Sequence, residues 1–212
     1  MRIAVINEGS TKHRNRDVLK ALEGMGHEVW NLGMKDQEGE PDLSYLETAF
    51  LSALMLNLGA VDFVVGGCGT GQGYMNAVLQ FPGTACGLLM DPTEAFLFSQ
   101  VNAGNCVSLP LNKGYGGIGG DINVKYILEK LFNDTCGQGY PKHRREVQVN
   151  ARKKLEKLSL KAHRPMEEIM ELMDEDTRLK ALDFPGIREA VSRAPESSLK
   201  QQVMRIYTEK GR

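Results

Sequence analysis

Short apolar runs alternate with amphipathic segments along the first two thirds of the chain. Ile3 to Ile6, Glu28 to Leu32, Phe63 to Val65, Ala85 to Leu89 and Cys106 to Leu109 have the length and apolar content of buried strands. Between them, residues 14–25, 43–57, 72–80, 92–101 and 121–133 repeat their apolar positions at helical spacing. Such alternation implies right-handed βαβ units, and hence a parallel sheet covered on both faces. The pattern predicts an α/β fold: a Rossmann-like three-layer α/β/α sandwich with a parallel sheet of about five strands. After Pro141 the pattern is helical without any strand signal, and it is broken at Pro165, at Phe184-Pro185-Gly186 and at Ala194-Pro195. The expected organisation is a core over residues 1–140 and a charged helical extension over 141–212.

Composition bears mainly on partners. The 212 residues carry 26 Lys+Arg against 27 Asp+Glu, so no overall field draws the chain to nucleic acid or to an anionic membrane. The charge is unevenly spread, with 9 basic and 15 acidic residues before Pro141 and 17 basic and 12 acidic from there on. No apolar stretch approaches the roughly 18 residues of a membrane span, and Met1-Arg2-Ile3-Ala4 leads into a strand rather than a signal peptide. Cys68, Cys86, Cys106 and Cys136 show no CxxC spacing, which fits free thiols in a reducing compartment. A cytoplasmic protein is expected.

The strongest local feature is Val64-Val65-Gly66-Gly67-Cys68-Gly69-Thr70-Gly71-Gln72-Gly73, between a strand and a helix. In a parallel sheet this loop lies at the carboxyl edge, where ligands bind. Its glycines allow backbone amides to converge on a phosphate, a carboxylate or an enediolate. A dinucleotide fingerprint would belong to the first βα turn, which here reads Asn7-Glu8-Gly9-Ser10, and no Gly-Lys-Ser/Thr follows to make a phosphate-binding P-loop. The bland alternative is a tight turn whose glycines only relieve packing. Cys68 tilts the balance, because a thiol at a strand end facing a helix start is where a thiolate can serve as base or nucleophile.

Gly67-Cys68-Gly69-Thr70-Gly71-Gln72-Gly73, Ala85-Cys86-Gly87-Leu88-Leu89 and Asn102-Ala103-Gly104-Asn105-Cys106-Val107-Ser108-Leu109 together resemble the type B ribose-5-phosphate isomerase and galactose-6-phosphate isomerase family, over residues 1 to about 150. The resemblance implies an aldose–ketose isomerase acting on a small sugar phosphate through a cis-enediol intermediate. Carried over residue by residue, Cys68 is the base, Thr70 and the amides of Gly69, Gly71 and Gly73 hold the enediolate oxygens, and Asn102 contacts substrate. His143, Arg144 and Arg145 stand where the family reaches the phosphate, often from a neighbouring subunit, so a homodimer or homotetramer is implied. Neither a metal nor another cofactor is required, since one loop supplies a base and stabilises the oxygen that gains charge.

The chain departs from the family pattern at three places. Glu8-Gly9 replaces an Asp-His pair whose histidine touches the phosphate, Val101 replaces the histidine credited with opening the sugar ring, and Leu79-Gln80 replaces an Asn-Lys pair. The proton-transfer loop is retained while the furanose-handling groups are gone, which points to a substrate that forms no ring, such as a tetrose 4-phosphate. Glu8, at the first strand end, is a candidate second proton carrier, and His13, in the basic run Thr11 to Arg16, a candidate phosphate contact. Asp91 reads as a helix cap, and Gly114 to Gly120 as a loop that either closes over the site or only connects. Two other readings stay open: a sugar-phosphate-binding module that has lost turnover, and a loop that binds a carboxylate substrate.

Overall fold

The computed structural model describes residues 1–113 and 119–210; residues 114–118, most of the second glycine cluster, lie outside the described residues. Five strands, β1 (Arg2–Asn7), β2 (Glu28–Asn31), β3 (Phe63–Cys68), β4 (Cys86–Leu88) and β5 (Cys106–Pro110), form one sheet in the order β2-β1-β3-β5-β4. Every pairing is parallel. The helices α1 (Asn15–Leu22), α2 (Tyr45–Asn57), α3 (Gln72–Val78), α4 (Pro92–Leu97) and α5 (Gly120–Phe132) alternate with them, and α4 continues as a π-helical turn over Phe98–Asn102. Each expected strand and helix is present, and the sheet is Rossmann-like as its pattern predicts.

The period-two pattern of the strands divides the core into two layers. Ile3, Val5, Phe63, Val65, Val107 and Leu109 pack with α1 and α5, whereas Ala4, Ile6, Val64 and Cys106 pack with α2 and α3. Helix α2 opens with a capping box, in which the Ser44 hydroxyl accepts from an early helical amide and the Glu47 carboxylate accepts from the Ser44 amide. Beyond that cap α2 is apolar on all sides, and Ala49, Phe50, Leu51, Ala53, Leu54 and Met55 are fully buried. A helix of that kind needs cover on its outer side as well. The extension supplies it.

The extension comprises α6 (Arg145–Ala162), α7 (Met166–Leu172), α8 (Glu175–Leu182), α9 (Ile187–Arg193) and α10 (Ser198–Lys210); three of its breaks fall at the predicted prolines, and a fourth, at Met173-Asp174 between α7 and α8, has none, Asp174 capping α8 instead. Met166, Met170, Leu182, Phe184, Ile187 and Val203 share one hydrophobic cluster with α2. Helix α6 differs, because none of its 18 residues is buried. Among the described residues no helix is long and apolar enough to cross a membrane.

The carboxyl half of β3 is shaped by one side chain. Tyr74, fully buried on α3, lies against Gly66, where any Cβ would run into the phenol ring. Its hydroxyl donates to Ser52 Oγ (2.6 Å), which in turn donates to the Thr48 carbonyl (2.7 Å). Gly66→Ala is therefore expected to cost about 3 kcal/mol, the upper end of core overpacking. Tyr74→Phe, which removes one net hydrogen bond, is expected to cost about 1 kcal/mol. Urea denaturation measures both, and a Gly66→Ala midpoint equal to that of the wild type would show that Tyr74 gives way.

Candidate active site

Strand β1 is followed in sequence by β2 on one side of it, while β3 pairs with its other side. A crevice opens at the carboxyl ends of two such strands. The last registered pair is Asn7 opposite Gly67. One step further, Glu8 and Cys68 stand on the same face of the sheet, toward α2 and α3. On the other flank Cys68 pairs with Pro110 of β5, so Asn112, two residues on, shares that face.

The loop after Cys68 is held from both sides. From β5, Leu111 N–H donates to the Cys68 carbonyl (3.1 Å), Asn112 N–H to the Gly69 carbonyl (3.0 Å) and Ser108 Oγ to the Gly71 carbonyl (2.5 Å). From β1, the Glu8 carboxylate accepts the Gly69 amide (3.3 Å). Gly71 turns the chain into α3 at φ 73°. A Cβ there would also crowd Leu88 and sit 3.1 Å from Pro110 N. The turn itself is closed by Gly71 N–H donating to the Cys68 carbonyl (3.1 Å).

These bonds revise the amide cradle expected over Gly69, Gly71 and Gly73. The Gly69 amide faces Glu8 and the Gly71 amide is spent inside the turn, because a loop this tight satisfies its own donors. Gly73 lies under the ring of the half-exposed Tyr45, and Thr70 is exposed, its Oγ1 accepting weakly from Gln72 N–H (3.4 Å). Helix α3 has only seven residues, so its dipole at the loop is that of a short helix.

Cys68 is buried at the end of β3, beneath its own loop. The other thiols have separate surroundings. A hydrogen bond with Cys106, together with burial, pushes the Cys86 thiol far above its usual range. Burial, with Cys106 and Cys86 close by, likewise holds the Tyr74 phenol well above its own. Tyr74 and Cys86 are therefore neutral packing groups, while Cys136 lies exposed with Sγ directed at the Ser99 carbonyl (3.2 Å).

The remaining candidates divide by edge. His13 is exposed on the 3-10 turn Gly9–Arg14 that follows Glu8, beside Lys12, which pairs with Asp36 (3.7 Å). Asp91 caps α4 as expected, its carboxylate accepting from Thr93 N–H (2.7 Å) and Glu94 N–H (2.9 Å). Asn102 ends the helix that returns from β4 to the start of β5, which puts it at the amino edge, about 16 Å of strand away from Cys68. The segment that carries His143, Arg144 and Arg145 joins it there. Gly137 and Gly139 donate to the Ser99 and Gln100 carbonyls (2.9 and 3.0 Å), and Arg152 of α6 donates to the Val101 carbonyl (2.7 Å). Within one chain, then, Glu8, Gly69, Thr70 and Gly71 meet Cys68, whereas Asn102 and the basic run do not.

The structure also brings in residues that the sequence pattern did not mark. Ser10 and Asn112 flank Gly69, each 3.3 Å from where its Cβ would be. The Asp42 carboxylate fills the space that a side chain at Gly9 would need, with the Leu43 carbonyl accepting Gly9 N–H behind it (2.8 Å). Two of these stand only a few residues past a strand end, the signal that the rule on strand carboxyl edges offers.

The two penalties at Gly71 can be separated. Gly71→Ala meets both a left-handed φ and crowding, while Gly24→Ala meets only the φ, having open space around it. Gly24→Ala should cost about 1 kcal/mol and Gly71→Ala about 2 kcal/mol more. Equal losses in chemical denaturation would show that the Cys68 loop is not tightly enclosed.

A family model described as Ribose/Galactose Isomerase matches residues 3–149. No curated protein matches the chain by sequence. Among solved structures, a 4-deoxy-L-threo-5-hexosulose-uronate ketol-isomerase complexed with a tartrate is 36% identical, with a TM-score of 0.91 over 99% of this chain and 98% of its own. A ribose-5-phosphate isomerase from Vibrio parahaemolyticus is 34% identical, with a TM-score of 0.92 over 97% and 99%. The ribose 5-phosphate isomerase of Thermotoga maritima, at 23% identity and a TM-score of 0.55 over 70% of this chain and 97% of its own, shares the fold.

Proposed function

The chain belongs to the ribose/galactose isomerase family and is a sugar isomerase, and we propose that it interconverts an open-chain aldose and ketose bearing a terminal acid group, a carboxylate in preference to a phosphate. The observation that carries this reading is the approach of Glu8 to the loop of Cys68 through the Gly69 amide (3.3 Å). Enediol chemistry needs two proton carriers side by side, one for carbon and one for oxygen.

In this reading Cys68 as thiolate takes the proton from C2, and the electron pair moves through C1=C2 onto O1. The exposed hydroxyl of Thr70 turns to the developing oxyanion, since the Gly69 and Gly71 amides are already engaged. Glu8 removes the O2 proton and supplies one to O1, while the Cys68 thiol returns its proton to C1. The ketose results with atoms and electrons balanced.

The substrate class is supported from two directions. Val101 and Gly9 bring no acid or base to a ring oxygen and no cation to a phosphate, and Asp42 sets a negative charge beside Gly9. A 4-deoxy-5-ulose uronate, the kind of sugar for which the 36% identical ketol-isomerase is named, has no hydroxyl on C4 and a carbonyl at C5. Its aldehyde therefore cannot close the usual five- or six-membered ring, and an enzyme for it needs no ring opener. Four free thiols suit a cytoplasmic setting.

The test is proton NMR in deuterated buffer with 4-deoxy-L-threo-5-hexosulose-uronate, D-erythrose 4-phosphate and D-ribose 5-phosphate. The uronate is expected to be isomerised with solvent deuterium incorporated and with the highest kcat/KM. Cys68→Ser should lose about 10²–10⁴-fold in rate, as expected for loss of a general base, while Cys86→Ser changes little. A higher kcat/KM for ribose 5-phosphate overturns the substrate class. Binding without exchange for every sugar would favour a binding module.

The same reading includes a homodimer whose sites are completed in trans. Asn102 and the run His143 to Arg145 share one edge of the protomer, away from their own Cys68. Helix α6 beside them exposes Val147, Leu155 and Leu158 at 60–61%. An isologous two-fold contact through that face would bury these side chains and offer the basic run to the opposite crevice. Mixing inactive Cys68→Ser with inactive Asn102→Ala, through mild dissociation and reassociation, should restore about a quarter of the wild-type activity, the share of intact sites in random dimers. No recovery, or a fully active monomer in sedimentation, would refute the shared site.

A further inference from the structure

The hydrogen bonds behind Glu8 lead beyond the roles given to Glu8 and Cys68. The Ser10 hydroxyl donates to Glu8 Oε1, and the Ser10 amide to Oε2 (3.1 Å). Oε1 also accepts the Gly69 amide. Asn112 closes the circuit, its Nδ2 donating to the Ser10 carbonyl (3.0 Å) and its own amide to the Gly69 carbonyl (3.0 Å). Glu8, Gly69, Asn112 and Ser10 thus form a ring of contacts that ties together the ends of β1, β3 and β5. A carboxylate with donors on both oxygens keeps a single orientation.

We propose that Ser10 and Asn112 are positioning residues that hold Glu8 for the oxygen-bound proton, and so decide whether the enediol proceeds to ketose or falls back to aldose. This rests on the reading of Cys68 and Glu8 as the two proton carriers. When Glu8 swings away, Cys68 still takes the C2 proton and gives back one that has exchanged with solvent. The O2 proton then stays in place and the carbonyl at C2 does not form. Deuterium accumulates in unconverted sugar, whereas general damage to the site would slow exchange and conversion together.

The experiment follows Ser10→Ala, Asn112→Ala and Ser10→Thr in deuterated buffer with 4-deoxy-L-threo-5-hexosulose-uronate, reading deuterium at C2 of the remaining aldose against the appearance of ketose. The ratio of exchange to conversion is expected to rise about tenfold in the two alanine variants and to return toward wild type in Ser10→Thr, which keeps the hydroxyl. An unchanged ratio in both alanine variants overturns the proposal. A second arm needs no sugar: amide hydrogen exchange at Gly69, whose N–H donates to Glu8 (3.3 Å), should be faster in Ser10→Ala and Asn112→Ala than in the wild type. Equal protection would overturn the arrangement even if the wild type isomerised none of the sugars, an outcome that counts separately against the proposed function.

Discussion

The site depends on Tyr74 lying across a strand that has no side chain to receive it. Gly66 accepts the phenol ring, and Gly67 packs against the backbone of Leu109, so the end of β3 is pressed between α3 and β5. That compression is possible only without Cβ atoms, and it brings the first turn of α3 down onto the sheet. Cys68 then emerges where β1 and β5 can both reach its loop. Interiors pack at crystal-like density, so such a contact behaves as a fixed stop.

The extension contributes to the same wall from behind. Lys180 of α8 pairs with Glu47 of α2 (3.4 Å), and Lys35 stands over the Phe184 ring (4.9 Å) while also bonding the Gly33 carbonyl (3.2 Å). Burial lowers the Lys35 ammonium from its usual range, with Glu40 opposing (3.9 Å). These contacts fix segment 33–44, whose Leu43 carbonyl receives Gly9 and whose Asp42 closes the space above it. The cover on the apolar outer side of α2 therefore also sets the shape of the crevice. Both similar structures of 34–36% identity are matched over almost their whole length, extension included.

The fold was legible because hydrophobic periodicity reports burial directly. Even the covering of α2 is written in Ala49 to Met55, a run with no polar side to turn to water apart from Ser52, whose hydroxyl bonds within the helix. The Cys68 loop was legible because its glycines crowd together at a strand end. What could not be read was the closing of contacts across strands far apart in sequence: Ser10 reaches Asn112 over a separation of 102 residues. Nor does a spacing pattern show which amides a tight loop consumes on itself. The place of Asn102 was within reach, since a helix leaving the carboxyl edge of β4 must return to the amino edge before β5 begins.

Charge gives the division of the molecule its direction. The core half is net acidic, with Glu8 at the Cys68 loop and Asp42 beside Gly9, whereas the segment from Pro141 onward is net basic. On the reading proposed above, an anionic sugar entering the crevice of one protomer alone would meet Glu8 and Asp42, while Lys12 and Lys35 are paired with Asp36 and Glu40, and like charges are costly in a partly desolvated cleft. On that reading, the basic run of a second protomer would add positive charge at the mouth while leaving the acidic groups near the reacting carbons, where the proposed proton carriers stand. Association would then be a condition for holding the substrate, and salt should weaken binding more than it weakens the proton transfer proposed for the buried Cys68.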